Sequence, residues 1–525
     1  MPTNAPAFPL LTGPARAWQR PALFGAWLIA AGWLASTHVF WRDEVRAFSL
    51  AIYGDDLGAM LGRIHGEGHP ALWFLLLRAV HAVMGTREAL PVAAFAIGAG
   101  AAGLWAWRAP FRPLMLGIVL FGGFTLYEYT VSARNYGISM LLLFAFAAAY
   151  PRAKHSGPWL GLILALQCNT NAPALLIAGA LSLFWAIELL GSKGWRWTPR
   201  WRHWAGNMAI VAAGVAACAA VIFPPFNDAA VSPLAGQLTP ATLVTAALNV
   251  TAPFNALLPE AWWSVPGATL LLAAMIVGAT FGLIRSPGGL IAGLLMLVAL
   301  PLFFQLVYPG GYRHQALFVA FLLTLYWLVA QGGGGRWPAR RALLRPAAQA
   351  FLARFGQAAL LALLVAQVMI AAARVGAVIA GVPEGRTPDL AALIRRERLE
   401  RAVVIANPDI LLEPLPYYAP NPTWLVRERR WGQVVAFTRA AAREVTLGET
   451  LAIAQRLHAR THRPVLILLQ VRLDPAAPAQ TWEEGYLGTF STTPDQVRAF
   501  LAATSRLASF APAVTDESYD VYLLR

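Results

Sequence analysis

The sequence has 525 residues, of which 58% are hydrophobic and only 13% are charged, and its mean hydropathy is +0.54. A soluble domain carries about 25% charged residues, because its surface must be hydrated. The composition therefore excludes a secreted enzyme, a disordered chain and a DNA-binding domain, and it predicts an integral membrane protein. The two cysteines, Cys168 and Cys218, both lie in apolar segments, which argues against a disulfide framework and a zinc site.

The net charge of +15 is distributed unevenly along the chain. Residues 1–381 hold 24 of the 41 basic side chains and 10 of the 26 acidic ones, whereas residues 382–525 hold 17 and 16. The chain thus divides into a basic, apolar part and a nearly neutral part of ordinary composition. We predict a transmembrane domain at 1–381 and a soluble domain at 382–525.

A transmembrane helix needs roughly 17–25 predominantly apolar residues, and we predict eleven such helices, with a range of eleven to thirteen. The candidate segments are 22–40, 89–107, 113–128, 135–150, 157–168, 172–190, 205–223, 264–284, 288–307, 315–331 and 356–380. The segment at 157–168 is short. The first segment follows Arg16 and Arg20 as a signal peptide would, but the ten segments behind it favour an uncleaved helix.

The apolar stretch at 70–84 is excluded from these spans because it has only fifteen residues and contains Arg78 and His81. Its length predicts an interfacial or re-entrant helix. With this assignment, five short basic loops lie on the side of the N-terminus, and the loop at 224–263, which has no lysine or arginine, lies on the other. We therefore expect a cytoplasmic N-terminus and an outer C-terminus. The surplus charge then faces membrane lipids, and no nucleic acid partner is expected.

Residues 382–525 alternate between helix-like and strand-like segments. Apolar strands are predicted at 401–407 and 464–470 and in the final YDVYLL, each after a helical segment. This alternation predicts a small α/β domain whose sheet has a parallel component. The domain lacks a GxGxxG turn and a P-loop, so we predict no nucleotide binding. The glycines at 332–335 are interpreted as a cytoplasmic hinge.

Ionisable, aromatic and amide side chains collect at the outer ends of the predicted spans. The candidate site residues are Asp43, Glu44, Glu67, His69 and Trp73 in the first outer loop at 41–88, Glu128, Tyr129, Arg134 and Tyr136 in the second outer turn, Asn169 and Asn171 in the third, and Arg313 and His314 in the last. A carboxylate beside a membrane can act as general base towards a hydroxyl. Guanidinium groups match phosphate oxygens. Together they predict a site where a lipid-linked phospho-sugar meets an acceptor.

Taken singly, the same residues have structural interpretations that stay open. Asp43 can cap an interfacial helix, and His69 can simply precede a helix that starts at proline. Arg134 and Arg313 can extend to lipid headgroups. The asparagines can cap or join helices, and the tyrosines and Trp73 suit the aromatic belt of a membrane protein. Only the combination predicts a site.

Three of these segments resemble the GT-C membrane glycosyltransferases. They are Asp43-Glu44, EGHPALW at 67–73 and EYTVSARNY at 128–136. Within that superfamily the sequence is most similar to the branch of the protein O-mannosyltransferases and the lipid A aminoarabinose transferase. The resemblance covers roughly residues 20–190, with a weaker match at Arg313-His314. It implies juxtamembrane helices in the first outer loop and a polyprenyl-phosphate sugar donor that is used on the periplasmic or lumenal side.

The resemblance also implies roles for individual residues. Asp43 would be the general base that deprotonates the acceptor, and Glu44 would orient Asp43 or the acceptor. Glu67 and His69 would lie near the donor phosphate and the acceptor. Arg134 would bind phosphate.

One departure from the family pattern bears on metal dependence. Many members have an aspartate directly after the arginine, whereas Asn135 follows Arg134 here. We therefore favour metal-independent transfer without a cofactor, in which Arg134 and Arg313 neutralise the departing phosphate. The leading hypothesis is an inverting glycosyltransferase of the bacterial inner membrane that uses a polyprenyl-phosphate-linked sugar donor and a glycan, lipid or protein acceptor.

Two other classes of function stay open at this point. A transporter or flippase for a lipid-linked saccharide would place substrate groups near the bilayer midplane, and within the spans only Glu188 and Arg374 stand out. A non-catalytic partner in cell-envelope glycan assembly would tolerate alanine throughout the candidate site.

Overall fold

The computed structural model describes residues 8–65, 67–223, 239–241, 244, 251–335 and 344–525. Most of the predicted outer loop at 224–263 and the basic residues Arg336, Arg340 and Arg341 lie outside these ranges. Residues up to Ile379 are mainly helical, and the residues that follow form a domain with two small sheets and a short antiparallel hairpin at 424–431.

The helical part contains fourteen α-helices within the described ranges. They are α1 (Gln19–Thr37), α2 (Arg42–Ala51), α3 (Leu57–Ile64), α4 (Leu72–Met84), α5 (Ala89–Arg108), α6 (Pro113–Leu120), α7 (Tyr136–Ala153), α8 (Trp159–Cys168), α9 (Ala172–Lys193), α10 (Pro199–Ile222), α11 (Ala268–Phe281), α12 (Pro287–Leu306), α13 (Tyr312–Ala330) and α14 (Pro346–Ile379). Five of them have proline at the first or second helical position, where its missing N–H would have no partner.

Seven of the described helices are long and apolar enough to cross a membrane, by length and composition, namely α5, α7, α9, α10, α12, α13 and α14. The number becomes eight if α1 and α2, which meet at a bend of 86°, form one broken span. The predicted spans at 113–128, 157–168 and 264–284 correspond to the shorter helices α6, α8 and α11. The prediction of a polytopic α-helical membrane protein is thus confirmed, while the count of eleven stays a prediction.

The first outer loop forms three short helices, α2, α3 and α4, which lie beside the long ones. α4 has thirteen residues and packs against α2 and α5. Just beyond it, Arg87 donates a hydrogen bond to the carbonyl of Tyr417 and stacks on its ring. Both ends of the loop at 41–88 therefore lie on the side of the C-terminal domain, as an interfacial α4 requires.

The largest hydrophobic core lies among the long helices. Within it, α13 is buried on all sides over residues 315–329, which suits a helix that is apolar all round. A second core lies under the first outer loop, where Phe40, Val45 and Phe48 pack with Tyr417 and Val434 of the C-terminal domain. The C-terminal domain is thereby packed against the loop that carries Asp43.

The C-terminal domain has nine strands within the described residues: β1 (Val403–Asn407), β2 (Trp424–Leu425), β3 (Arg430–Trp431), β4 (Glu444–Thr446), β5 (Val465–Leu469), β6 (Gln480–Glu483), β7 (Thr489–Thr492), β8 (Ser505–Phe510) and β9 (Tyr519–Leu524). The main sheet has the order β1-β5-β9-β8, in which β1 and β5 are parallel and the other pairs are antiparallel. A second sheet has the order β4-β7-β6.

The helices of this domain are α15 (Thr387–Arg396), the one-turn α16 (Leu415–Tyr418), α17 (Leu447–Thr461) and α18 (Pro494–Ala503). The small α/β domain and its parallel pair are as the sequence predicts. The predicted boundary between 381 and 382 falls between the end of α14 and the start of α15. The second sheet and β8 were not predicted, because β4, β6 and β7 have only three or four residues each, and β8, although six residues long, has no buried residue.

Candidate active site

Three segments that the sequence predicts to be outer turns, and that are distant in sequence, meet at the side chain of Asp43. Arg134 Nη1 lies 3.5 Å from Asp43 Oδ2 and also donates a hydrogen bond of 2.6 Å to the Asp43 carbonyl. Arg313 Nη1 lies 3.6 Å from the same Oδ2, and Arg42 Nε lies 3.7 Å from Oδ1. The predicted base and the two predicted phosphate ligands are thus brought together.

Local structure places each of these groups. The bend after α1 turns α2 by 86°, so that Asp43, in the first turn of α2, lies on the side of the C-terminal domain. Arg134 lies in the turn between the π-helical segment Phe124–Glu128 and α7. Arg313 lies in the first turn of α13, and its guanidinium stacks on the ring of Trp41 with 5.0 Å to the centroid.

The charges around Asp43 determine its ionisation. Burial raises the pKa of the Asp43 carboxyl, but the positive charges of Arg134, Arg313 and Arg42 outweigh burial and lower it to about 2. Burial, with the charge of Arg134, lowers the pKa of His69. At neutral pH Asp43 is therefore a carboxylate, and His69 beside it is a neutral imidazole.

Arg313 has capacity for a further anion. Its Nη1 is buried and has no hydrogen-bond partner among the described residues, because Asp43 at 3.6 Å is beyond hydrogen-bond distance. An unpaired buried guanidinium N–H is costly. An anionic oxygen that binds here would accept a hydrogen bond from Arg313 Nη1.

A second set of charges continues from Arg313 towards the C-terminal domain. Glu128 lies 3.9 Å from Arg313 and 3.5 Å from Arg374, and Arg374 pairs with Glu384 at 2.9 Å. The Tyr127 hydroxyl donates to Glu384 at 2.6 Å. The sequence reasoning noted Arg374 only as a charge inside a span and missed Glu384. The feature of the sequence that indicated this network is Arg374, a charged residue near the end of the apolar helix α14.

Three further candidate residues contact one another or Arg313, namely Tyr129, Tyr136 and His314. The Tyr129 hydroxyl donates to the carbonyl of Arg313 at 2.6 Å, and the Tyr136 hydroxyl lies 2.7 Å from His314 Nε2. The two tyrosine rings stack with centroids 6.1 Å apart. These contacts fix the first turn of α13, and with it Arg313, against α7.

Glu44 is adjacent to Asp43 in sequence but faces another way. It is fully buried, and its carboxylate accepts from the backbone N–H of Ala133 at 2.5 Å and of Trp41 at 3.2 Å. His38 Nε2 lies 3.0 Å from both of its oxygens. Glu44 thus joins the start of α2 to the turn that carries Arg134, which is a positioning contact.

Replacing Glu44 with alanine is expected to destabilise the protein. The change leaves two buried N–H groups and His38 without their acceptor, and breaking such a buried charged pair costs about 3 kcal/mol. Thermal unfolding in detergent measures the loss. Glu88→Ala is the matched control, because Glu88 is exposed and its ion pair within the described chain is with its neighbour Arg87. Equal unfolding temperatures for the two variants would contradict this role of Glu44.

The remaining first-loop candidates divide into two groups. Glu67 forms a two-pronged ion pair with Arg46 at 2.6 and 2.9 Å, and its carbonyl lies 2.9 Å from His69 Nδ1. His69 lies close enough to Asp43 and Arg134 for their charges to act on its pKa. Trp73 is 2% exposed and packs in the core under the loop, away from any open surface. The structure thus places His69 near Asp43 and Arg134, whereas Glu67 pairs with Arg46.

The two asparagines of the third outer turn join helices. Asn169 donates to the carbonyls of Ala165 in α8 and Gly214 in α10, both at 2.9 Å. Asn171 caps α9 by accepting from the N–H of Ala174, and donates to Ser139 in α7 at 2.8 Å. Both asparagines thus make the contacts of their structural interpretation, in which they cap a helix or join two helices.

A metal site is not formed by the side chains that the structure describes. No three His, Cys, Asp or Glu residues within the described ranges converge as metal ligands would. The expectation of metal-independent transfer stays a prediction.

The comparisons with known proteins bear on the fold. A scan against protein-family models and a search of curated proteins both find no match. Among solved structures, ArnT from Cupriavidus metallidurans bound to undecaprenyl phosphate is similar over 97% of this chain and 98% of its own, with a TM-score of 0.50 and 14% identity. The chain has the GT-C fold. The apo state of ArnT aligns over 96% and 97% with a TM-score of 0.49 and 14% identity.

This likeness confirms, at the level of the fold, the resemblance that the sequence predicts to the branch of the lipid A aminoarabinose transferase. It also extends the resemblance. The sequence motifs cover roughly residues 20–190, whereas the structural alignment includes the C-terminal domain.

Proposed function

We propose that this protein is a membrane glycosyltransferase that moves a sugar from a polyprenyl-phosphate-linked donor to an acceptor hydroxyl. The observation that carries the proposal is the ionised Asp43 between Arg134 and Arg313, at a junction of outer turns in a GT-C fold. A base beside two phosphate-binding groups is what such a transfer needs.

The reaction follows from this arrangement. The acceptor oxygen attacks the anomeric carbon of the donor, and Asp43 takes the proton of the acceptor hydroxyl. The bond from the anomeric carbon to the phosphate oxygen breaks, and its electron pair leaves with the polyprenyl phosphate. Arg134 and Arg313 stabilise the departing phosphate. Attack from the face opposite the leaving group inverts the anomeric configuration.

Donor binding also activates the base. In the free protein the arginines lower the pKa of Asp43 to about 2, which makes it a weak base. A donor phosphate that engages Arg134 and Arg313 shares their positive charge and brings its own negative charge close to Asp43. Both effects raise the pKa of Asp43. The carboxylate therefore becomes a stronger base when the donor is in place.

The ArnT structure with bound undecaprenyl phosphate supports a donor of the polyprenyl-phosphate class. The acceptor is a glycan, a lipid or a protein. We place the protein in the bacterial inner membrane, with its N-terminus in the cytoplasm and the site and C-terminal domain in the periplasm. The contacts of Arg42, Arg46 and Arg87 with the C-terminal domain support this, because they put the site and that domain on one side.

Sugar turnover in detergent tests the proposal. The purified protein, given a polyprenyl-phosphate sugar and acceptor, is expected to release polyprenyl phosphate and glycosylated acceptor. A transporter or flippase has no compartments to connect in detergent and would leave the donor intact, as would a non-catalytic assembly partner. Intact donor with all tested lipid-linked sugars and acceptors would contradict the proposed function.

A further inference from the structure

Asp43 lies on a helix that the C-terminal domain holds at two points. α2 has ten residues, and Arg42 and Arg46 stand one turn apart on it, on either side of Asp43. Each arginine contacts carboxylates from the far end of the chain. Nothing in the proposed reaction requires these carboxylates, so their arrangement needs its own explanation.

The first point of contact is at the start of α2. Glu517 accepts a hydrogen bond of 2.7 Å from the backbone N–H of Arg42, and the Asp516 carboxylate accepts from Arg42 Nη1, also at 2.7 Å. Glu517 is fully buried. It packs so closely on Gly385 that a Cβ at that position would lie 2.0 Å from Glu517 Oε2. The acceptor for α2 is therefore held in a fixed place by its own domain.

The second point of contact is one turn further along α2. Arg46 Nη1 donates to Glu413 while its Nε and Nη2 donate to Glu67, and the guanidinium stacks on Phe437 with 4.8 Å to the ring centroid. Glu413 is nearly inaccessible and also accepts from the N–H of Val435 at 3.0 Å. Two residues of the C-terminal domain, Glu413 and Phe437, thus contact the end of the Arg46 side chain.

A helix as short as α2 has little orientation of its own. Isolated helices of this length are marginal, and their position depends on tertiary contacts. α2 also follows the 86° bend, so α1 does not extend directly into it. The proposed reaction depends on the position of Asp43 relative to Arg134 and Arg313, which lie 3.5 and 3.6 Å from it and belong to other elements.

We propose that Glu413, Asp516 and Glu517 are positioning residues that hold α2, and through it Asp43, in register with Arg134 and Arg313. The C-terminal domain is then part of the active site, in addition to any contact it makes with the acceptor. This inference rests on the proposed function for its effect on catalysis, but its structural part, the restraint of α2, can be measured without activity.

The test uses the full chain in detergent with Glu413→Gln and with the double variant Asp516→Asn, Glu517→Ala, because alanine removes the acceptor of the Arg42 N–H. Asp495→Asn is the matched control, because Asp495 lies in the same domain and pairs only with exposed Arg498 within the described chain. The single variant Asp516→Asn is included because it is expected to fold, since that carboxylate is half exposed. Three quantities are measured: hydrogen exchange of the α2 amides, affinity for undecaprenyl phosphate, and kcat and KM for the donor.

The expected result is a lower kcat with unchanged binding of the donor and of undecaprenyl phosphate. A displaced catalytic group can cost about 100-fold in rate, so kcat is expected to fall by about 10- to 100-fold in the glutamate variants and by less in Asp516→Asn. Donor KM and undecaprenyl phosphate affinity stay as in the wild type, because Arg134 and Arg313 lie on other elements. Exchange of the α2 amides becomes faster, and Asp495→Asn changes none of these.

The inference would be overturned by α2 amides that exchange as in the wild type, or by a loosened α2 with unchanged kcat. A uniform loss of folded protein with normal kcat per folded molecule would also overturn it, because it indicates a purely structural contact. If the wild type itself transfers no sugar, the proposed function fails. The exchange of α2 then decides by itself whether the carboxylates hold this helix.

Discussion

Asp43→Asn is expected to remove sugar transfer while leaving the protein folded and able to bind undecaprenyl phosphate. Asparagine keeps the size of the side chain but cannot accept the acceptor's proton, and loss of a general base typically costs about 10²- to 10⁴-fold in rate. The measurement is kcat with a polyprenyl-phosphate sugar in detergent. The phosphate ligands Arg134 and Arg313 are untouched, so the affinity for undecaprenyl phosphate does not fall.

Asp56→Asn is the matched control for this prediction. Asp56 lies in the same outer loop and caps α3 by accepting from the N–H of Ala59. Asparagine caps a helix as well as aspartate does, so this variant is expected to behave as the wild type. Transfer by Asp43→Asn near the wild-type rate would refute the assignment of the base.

Arg313→Gln is expected to weaken the binding of undecaprenyl phosphate. Hydrogen bonds to charged groups are worth about 1.5–3 kcal/mol, so the loss of this guanidinium corresponds to about 10- to 100-fold in Kd. Arg134→Gln is expected to act in the same direction. Arg285→Gln is the control, because Arg285 is exposed and lies in a predicted inner loop. Undiminished affinity in both arginine variants would exclude this cluster as the phosphate site.

The same substitution has a consequence for pH dependence. Arg313 is one of the three arginines that lower the pKa of Asp43 to about 2. With Arg313 neutral, the pKa of Asp43 rises towards its usual value, so Asp43 becomes protonated at a higher pH. Residual transfer by Arg313→Gln is therefore expected to be lost at a higher pH than transfer by the wild type when both are acidified. Identical pH profiles would contradict the coupling.

Much of the fold could be predicted from the sequence, because a bilayer imposes length and polarity directly on each segment. The apolar segments at 89–107, 172–190 and 288–307 became α5, α9 and α12 with small shifts at their ends. The short α6 and α8 show the limit of this reasoning. These helices have only eight and ten residues, and composition alone does not show whether helices of that length span the bilayer.

The site could be predicted only where its residues are unusual for their surroundings. Asp43, Arg134 and Arg313 are charges at the ends of apolar helices, and the structure brings them together. The partners that hold α2 could not be found this way. Arg46 and Glu413 are 367 residues apart, and Glu413 lies in a domain of ordinary composition where an acid attracts no notice. Only the packing of the two domains shows that they meet.

Glu44 shows a related limit. Adjacent residues on a helix point about 100° apart, so an acidic pair in sequence need not face one site. Asp43 faces the arginines, whereas Glu44 faces the backbone N–H of Ala133. The sequence identified the acidic pair, and the orientation of α2 distinguishes its two members.

The most direct test of the central claim is an experimental structure of this protein with undecaprenyl phosphate bound. We expect the phosphate beside Asp43, with its oxygens at hydrogen-bond distance from the guanidinium groups of Arg134 and Arg313. A headgroup bound at the inner ends of the helices, or elsewhere on the outer face with both arginines still paired to Asp43, would contradict the account.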